Sequence, residues 1–120
     1  VTHATDYLDV DKRKFGEVKC GGGPVFSRGA NINPKVLELL IEAAEAEGIP
    51  YQIEGAPRGT GTDANAIQLS RGGKAAALVS VALRYMHTPT EVLALEDVEN
   101  TAKLLAAFVR RVEPGTDFTP

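Results

Sequence analysis

His87 and Glu91 are the side chains whose types and placement most directly suggest chemistry. His87 follows an apolar run that predicts a strand, and in open α/β sheets ligands bind outside the carboxyl ends of the strands. An imidazole there could bind a metal ion or transfer a proton near neutral pH. Glu91 is close enough in sequence to orient the ring through its second nitrogen. A loop histidine hydrogen-bonded to a neighbour and an exposed glutamate are the structural alternatives.

A glycine-containing loop, residues 58–64, also follows a predicted strand and precedes a predicted helix. Glycine lets backbone N–H groups approach a ligand closely, so the loop could cradle a phosphate. Its spacing matches neither the dinucleotide-binding fingerprint nor the phosphate-binding loop that ends in Lys-Ser/Thr. A tight turn with Thr62 or Asp63 as the helix cap explains the same residues. Asp63 could alternatively be a buried carboxylate that faces a substrate.

Two further candidates lie near the amino end. His3 and Asp6 stand three residues apart, which on a helix could reach one metal ion, but the local pattern is not helical and favours a structural role at a sheet edge. Cys20 precedes three glycines, and a nucleophilic thiol needs an activating partner that is not identifiable nearby. We interpret residues 20–24 as a turn. Because Cys20 is the single cysteine, an internal disulfide and a four-cysteine zinc site are excluded.

These residues must be positioned by regular elements, of which the clearest is a helix at residues 34–47. Asn33 can cap it, Pro34 suits its first position, and Gly48 follows its last turn. Apolar residues recur at three- and four-residue spacing and predict one buried stripe. The stripe consists of Val36, Leu37, Leu40, Ile41 and Ala44.

A second helix is predicted from about Glu96 to about Val112. The acidic residues Glu96 and Asp97 at its start suit the helix dipole. Its predicted buried face consists of Val98, Thr101, Leu105, Phe108 and Val112, widened by Leu104 and Val109.

Strands are predicted at residues 24–28, 51–54 and 75–83. The last run is almost continuously apolar, which is typical of a strand covered on both faces and central in a sheet. A short helix is predicted over residues 62–70, whereas residues 7–24 match no element. The alternation of strands and helices predicts the α/β class, with a mostly parallel sheet and helices packed on it.

The composition indicates one globular domain. The chain has 120 residues, 43% of them hydrophobic, and a formal net charge of −3. That charge provides no field to attract nucleic acid or an anionic membrane, and the basic run at residues 12–14, flanked by Asp9 and Asp11, is interpreted as a solvated loop. No stretch is long and apolar enough to span a bilayer, and no leader is recognised. With a single cysteine, these features favour a cytoplasmic protein.

Several motifs, taken in order, resemble one enzyme family across essentially the whole chain. The sequence is similar to the C-terminal part of the catalytic domain of the cytosolic dinuclear-metal aminopeptidases that assemble into tetrahedral (TET) particles. These enzymes are also known as deblocking or glutamyl aminopeptidases, and some carry an endoglucanase label. The motifs that carry the resemblance are residues 1–6 (VTHATD), 21–24 (GGGP), 61–67 (GTDANAI) and 84–92 (RYMHTPTEV).

The resemblance implies that His87 is a metal ligand in an enzyme that holds two divalent metal ions, zinc or cobalt. The other ligands and the general-base glutamate are expected upstream, including an aspartate that in the family immediately precedes the segment matching Val1. Gly61, Thr62 and Asp63 would line the pocket for the first residue of the substrate. The family also has an inserted β-rich domain, not matched here, that drives assembly into a homo-oligomer, a dodecamer.

The resemblance therefore predicts that residues 1–120 are the C-terminal portion of a domain that hydrolyses N-terminal residues from peptides. We expect this portion to be inactive by itself, because most ligands are upstream. Two other functions stay open. A glycoside hydrolase would need two carboxylates and usually aromatic platforms, yet the sequence has no tryptophan. A non-enzymatic module that self-associates through an exposed sheet edge is the third hypothesis.

Overall fold

The computed structural model describes residues 1–6 and 12–120, and it confirms the predicted α/β class. The described helices include none that is long and apolar enough to cross a membrane. In chain order, the elements are β1 (Thr2–His3), α1 (Lys12–Phe15), β2 (Val25–Gly29), α2 (Pro34–Ala46), β3 (Gln52–Ala56), α3 (Ala64–Ile67), β4 (Val79–Ser80), β5 (Ala82–Arg84), β6 (Val92–Leu93) and α4 (Leu95–Arg111).

Helix α2 forms as predicted because both of its ends carry local signals. The Asn33 side chain accepts a hydrogen bond from the Val36 N–H at 3.1 Å. Gly48, just beyond the helix, has a φ of 65°, a left-handed conformation that glycine adopts without strain. The predicted stripe is buried with one adjustment, since Ala43 is buried and Ile41 is only partly buried.

Helix α4 also forms as predicted, but a different stripe faces the core. Asp97, Leu104 and Ala107 are buried, whereas Val98 and Leu105 remain 44% and 43% exposed. The prediction of a buried face along Val98, Leu105 and Val112 is therefore wrong. The physical reason is that the backbone N–H groups of Gly21 and Gly23 hold the Asp97 carboxylate inside the fold, which sets the rotation of the helix.

The described strands form two three-stranded sheets, in the orders β1-β5-β6 and β3-β2-β4. β2 is parallel to β3 and antiparallel to β4, and β5 is parallel to β1 and antiparallel to β6. The apolar run at residues 75–83 is thus divided between β4, at a sheet edge, and β5, at a sheet centre. Burial on both faces holds only for β5, because residues 75–77 and Val79 line an open apolar groove of about 440 Å³.

The core has two parts. The larger one centres on Phe26, which is fully buried and stacks on Tyr51 with ring centroids 5.2 Å apart. Helices α2 and α4 supply most of its other members. The smaller part consists of Ala4, Val18, Val25 at the start of β2 and Ala82 at the start of β5.

Two short predictions are corrected. Residues 12–15 form α1, a single helical turn rather than a loop. Lys12 is exposed, and its Nζ forms an ion pair with Glu17 Oε1 at 3.2 Å. Asp9 and Asp11 lie outside the described residues, as does part of the segment at residues 7–24. The helix predicted at residues 62–70 is reduced to α3, because the chain beyond it forms turns closed by the Lys74 N–H on the Gln68 carbonyl oxygen.

Candidate functional site

His87 lies in the turn between β5 and β6, after the central strand of its sheet. Tyr85 and His87 both have left-handed backbone conformations, with φ of 60° and 64°. Such conformations cost a non-glycine residue about 1 kcal/mol or more, so other interactions must maintain them. The N–H and hydroxyl groups of Thr88 both donate to the Tyr85 carbonyl oxygen, at 3.2 and 2.7 Å. The turn holds His87 on the surface rather than inside the fold.

Glu91 contacts the backbone of His87. Its Oε1 accepts a hydrogen bond from the His87 backbone N–H at 2.7 Å. Glu91 therefore fixes the backbone that carries the ring, whereas our prediction has it orient the ring directly. In the part of the chain that the structure describes, no hydrogen bond or ion pair involves the exposed His87 imidazole. A ligand of this exposed ring would therefore displace no hydrogen bond to a described residue.

A metal ion would find one prospective ligand here rather than a complete site. Among the described residues, no three His, Cys, Asp or Glu side chains form a cluster that could hold a metal ion. His87 fits the role of a single ligand because its imidazole is exposed and forms no hydrogen bond with the residues that the structure describes. Near the amino end, His3 is exposed on β1 and Asp6 is paired with Arg84. That pairing agrees with the structural role favoured for this segment.

Asp6 links the segment after β1 to the end of β5. Its Oδ1 lies 3.0 Å from Arg84 Nε, and its Oδ2 accepts a hydrogen bond from the Cys20 N–H at 3.2 Å. The hydrogen bond from Arg84 holds the pKa of Asp6 below its ordinary value. Burial, together with the Asp6 charge, raises the pKa of the Cys20 thiol. A protonated thiol is a poor nucleophile, which supports the interpretation that Cys20 is not catalytic.

Asp97 is a fully buried carboxylate whose role the sequence analysis missed. It accepts hydrogen bonds from the backbone N–H groups of Gly21 and Gly23, at 2.7 and 2.8 Å. Gln52 of β3 holds the same loop, because its side chain accepts from the Lys19 N–H and donates to the Lys19 carbonyl oxygen. One signal was available, since successive glycines expose N–H groups that must find acceptors when buried. The position of Asp97 at a helix start indicated only a favourable dipole interaction.

In the structure, the predicted glycine-containing loop is the connection between β3 and α3, residues 57–63, and Asn65 of α3 holds it in place. Its Oδ1 accepts hydrogen bonds from Asn31 Nδ2 at 2.6 Å and from the Thr60 N–H at 3.2 Å. The hydroxyl oxygens of Thr60 and Thr62 lie 2.9 Å apart. Asp63 is exposed and makes no capping hydrogen bond to α3. It is therefore neither the side-chain cap nor the buried carboxylate that the sequence left open.

This loop and the turn that carries His87 follow strands of two different sheets. The loop follows the carboxyl end of β3, and β4 runs in the opposite direction to β2 and β3 before the chain continues to β5. Within residues 1–6 and 12–120, no hydrogen bond or ion pair joins residues 57–63 to residues 85–91. The structure places Gly61, Thr62 and Asp63 on the surface, as it does His87.

A sequence profile of M42 glutamyl aminopeptidases matches residues 1–104. The chain belongs to the M42 glutamyl aminopeptidase family. Over 100 residues, this M42 chain is 47% identical to the lysyl aminopeptidase of Pyrococcus furiosus. The match covers 83% of the chain and 29% of that enzyme, so the chain spans less than a third of its relative's length.

Solved aminopeptidase structures share the fold of this M42 chain. A TET aminopeptidase from a marine sediment archaeon of the Thaumarchaeota has a TM-score of 0.85 at 27% identity, covering 94% of this chain and 32% of that one. An aminopeptidase from the archaeon Desulfurococcus kamchatkensis has a TM-score of 0.83 at 36% identity, covering 95% and 33%. The TET1 peptidase of Pyrococcus horikoshii, which can assemble into a tetrahedron or a large octahedral shell, has a TM-score of 0.63 at 30% identity, covering 82% and 29%. The predicted family and α/β class are confirmed, while each described sheet has one antiparallel pairing beside its parallel one.

Proposed function

We propose that the chain is the C-terminal portion of the catalytic domain of a metal-dependent aminopeptidase that hydrolyses N-terminal residues from peptides. The observation that carries the proposal is the exposed imidazole of His87, which has no hydrogen-bond partner among the described residues and lies in a segment that matches an aminopeptidase family. The aminopeptidase relatives favour peptide hydrolysis over the glycoside hydrolase and the non-enzymatic module. The upstream catalytic segment and the inserted β-rich domain would lie outside these 120 residues.

His87 would be one metal ligand, presented outward by the left-handed turn that carries it. Two divalent metal ions, zinc or cobalt, would supply an activated water and polarise the scissile carbonyl group. The described residues contain no further ligand cluster, so the other ligands and the general-base glutamate would come from the rest of the enzyme. Glu91 would contribute by holding the His87 backbone N–H, which keeps the ring at one place on the surface.

Gly61, Thr62 and Asp63 would line the pocket for the N-terminal residue of the peptide. Their exposure supports this role, and so does the hydrogen-bond network of Asn65, which fixes the loop before any substrate arrives. A loop ordered in advance loses little entropy when a ligand binds. Other parts of the enzyme would complete the pocket.

The 120-residue chain is expected to be inactive by itself, because a lone imidazole binds a divalent ion weakly. The assay is hydrolysis of leucine and glutamate p-nitroanilides with added zinc or cobalt, and no turnover above the buffer rate is expected. Robust turnover by the pure chain would refute the proposal.

The complementary test uses the full-length enzyme that carries this segment. His87→Ala is expected to lower kcat/KM by about a hundredfold or more, because loss of a ligand weakens the metal site. His3→Ala is the matched control, since His3 is exposed on β1, and it is expected to change kcat/KM by less than about twofold. Equal effects of the two substitutions would count against the ligand role.

A cytoplasmic homo-oligomer, a dodecamer as in TET particles, completes the proposal. The assembly of the TET1 peptidase of Pyrococcus horikoshii supports the oligomer. The free Cys20 suits a reducing compartment. A peptide is the proposed substrate, and no nucleic acid or membrane partner is proposed.

A further inference from the structure

Two side chains extend the link between β1 and β5 toward the turn that carries His87. The two strands are parallel, so the segments that follow them emerge at the same edge of the sheet. The Ala4 N–H donates to the Leu83 carbonyl oxygen at 2.8 Å. Beyond this backbone hydrogen bond, Arg84 Nε lies 3.0 Å from Asp6 Oδ1. Arg84 ends β5 and immediately precedes the left-handed Tyr85.

We propose that Asp6 and Arg84 are positioning residues for His87. Their ion pair fixes the start of the turn, residues 85–91, against the segment that follows β1. The inference rests on the proposed ligand role of His87 and adds residues that act through it. Neither Asp6 nor Arg84 is assigned a contact with the metal ion or the peptide.

The hydrogen bonds inside the turn cannot set its orientation against the sheet. Those from Thr88 to Tyr85 and from His87 to Glu91 begin and end within residues 85–91. They maintain the local conformation but would move with the turn as a unit. The far end of the turn leads into β6, a strand of two exposed residues that pairs with β5 alone in the described sheet. Among the described residues, the Arg84–Asp6 ion pair is the side-chain contact that ties the start of the turn to the segment after β1.

Asp6 is suited to position Arg84 because its own side chain is fixed by a further contact. Its second carboxylate oxygen binds the Cys20 N–H, and its side chain is 16% exposed, compared with 38% for Arg84. Cys20 adjoins the glycine loop that Asp97 anchors to α4. An ion pair with one partner already ordered loses less side-chain entropy when it forms. The chain of contacts runs from α4 through the glycine loop to Asp6, and from there to the turn.

The test compares Asp6→Asn and Arg84→Met in the 120-residue chain by NMR. The His87 backbone N–H reports its hydrogen bond to Glu91, and with two histidines in the chain the imidazole signals can be assigned. Both substitutions are expected to raise the hydrogen-exchange rate of the His87 amide about tenfold and to shift its imidazole resonances, because the turn opens locally. Glu47→Gln is the matched control, since it removes another ion pair between elements, with Arg111 at 3.3 Å.

Unchanged exchange and unchanged imidazole resonances in a folded Arg84→Met variant would overturn the inference, and so would an equal change in Glu47→Gln. If Asp6→Asn does not fold, Arg84→Met decides, because it leaves the bond between Asp6 and the Cys20 N–H intact. His87→Ala in the full-length enzyme tests the proposed function separately. An unchanged kcat/KM in that variant would count against the ligand role of His87 without altering the exchange result.

Discussion

Asp6 shows how one carboxylate acts on the residues around it. Arg84 donates a hydrogen bond to it, so the pKa of Asp6 lies below the ordinary value of 3.8. The same negative charge adds to the effect of burial in raising the pKa of the Cys20 thiol. Asp6 thus favours the charged form of Arg84 and disfavours the thiolate of Cys20. Both effects are electrostatic.

The lowered pKa of Asp6 predicts a pH-dependent contribution to stability. A carboxyl whose pKa is lower in the folded state than in the unfolded state stabilises the fold above its unfolded pKa, and this contribution disappears as the pH falls through the folded pKa. Asp6→Asn is therefore expected to lower the free energy of unfolding by about 1 kcal/mol at pH 7 and by almost nothing near about pH 2. Urea denaturation at the two pH values measures both differences.

Asp63→Asn is the control, because Asp63 is exposed and is expected to change stability by less than about 0.5 kcal/mol at either pH. An Asp6→Asn effect of the same size at both pH values would show that the charge pair with Arg84 is not its cause.

At the scale of elements, the glycine loop at residues 21–23 joins three parts of the fold. Asp97 holds it to α4, Gln52 holds the adjoining Lys19 to β3, and the chain continues directly into β2. The loop has little room, because a Cβ built on Gly23 would meet the Pro50 carbonyl oxygen. A Cβ on Gly21 would meet no atom within 4 Å. Position 23 therefore requires glycine because of both its left-handed φ and the lack of room for a Cβ, whereas position 21 requires it only because of its left-handed φ.

Gly21→Ala and Gly23→Ala form a matched pair that separates backbone strain from steric conflict. Both residues have left-handed φ angles, 82° and 88°, so each alanine is expected to cost about 1 kcal/mol of strain. Gly23→Ala is expected to cost about 3 kcal/mol in total, because the new methyl group displaces the Pro50 backbone. Denaturant midpoints of the two variants provide the comparison. Equal losses would mean that the loop moves freely away from Pro50.

At the scale of the whole molecule, several large apolar side chains remain at the surface. The most exposed of the large apolar residues described are Leu95 at 81%, Leu69 at 78% and Val109 at 67%. A second apolar surface is the open groove between α2 and α4, which Leu105, Phe108 and Phe118 help to line. Exposed apolar area of this kind favours association with other protein surfaces.

The 120-residue chain is accordingly expected to self-associate. Sedimentation velocity should give a mass that rises with protein concentration, and the melting temperature should rise with it, because association stabilises the folded state by mass action. Leu95→Asp is expected to weaken the association, whereas Lys103→Asp, on an exposed part of the same helix, is the matched control. A chain that is monomeric at all concentrations and melts cooperatively would contradict this prediction.

The parts of the structure that the sequence predicted are those specified by neighbours in the chain. Helix α2 is defined by Asn33, Pro34 and Gly48, which lie at its own ends. The family was likewise recognisable from short motifs in order, including the segment that contains His87. Helix capping, hydrophobic periodicity and motif spacing each involve residues a few positions apart, so the sequence alone reveals them.

Only the tertiary structure decided how these parts meet. The rotation of α4 depends on Asp97 binding glycines more than 70 residues away, and the division of the apolar run at residues 75–83 depends on which sheet accepts each half. The pairing of Asp6 with Arg84 spans 78 residues. The sequence thus determined the two long helices, the α/β class and the family. Tertiary packing determined the contacts, because contacts between distant residues depend on three-dimensional geometry that their spacing along the chain does not specify.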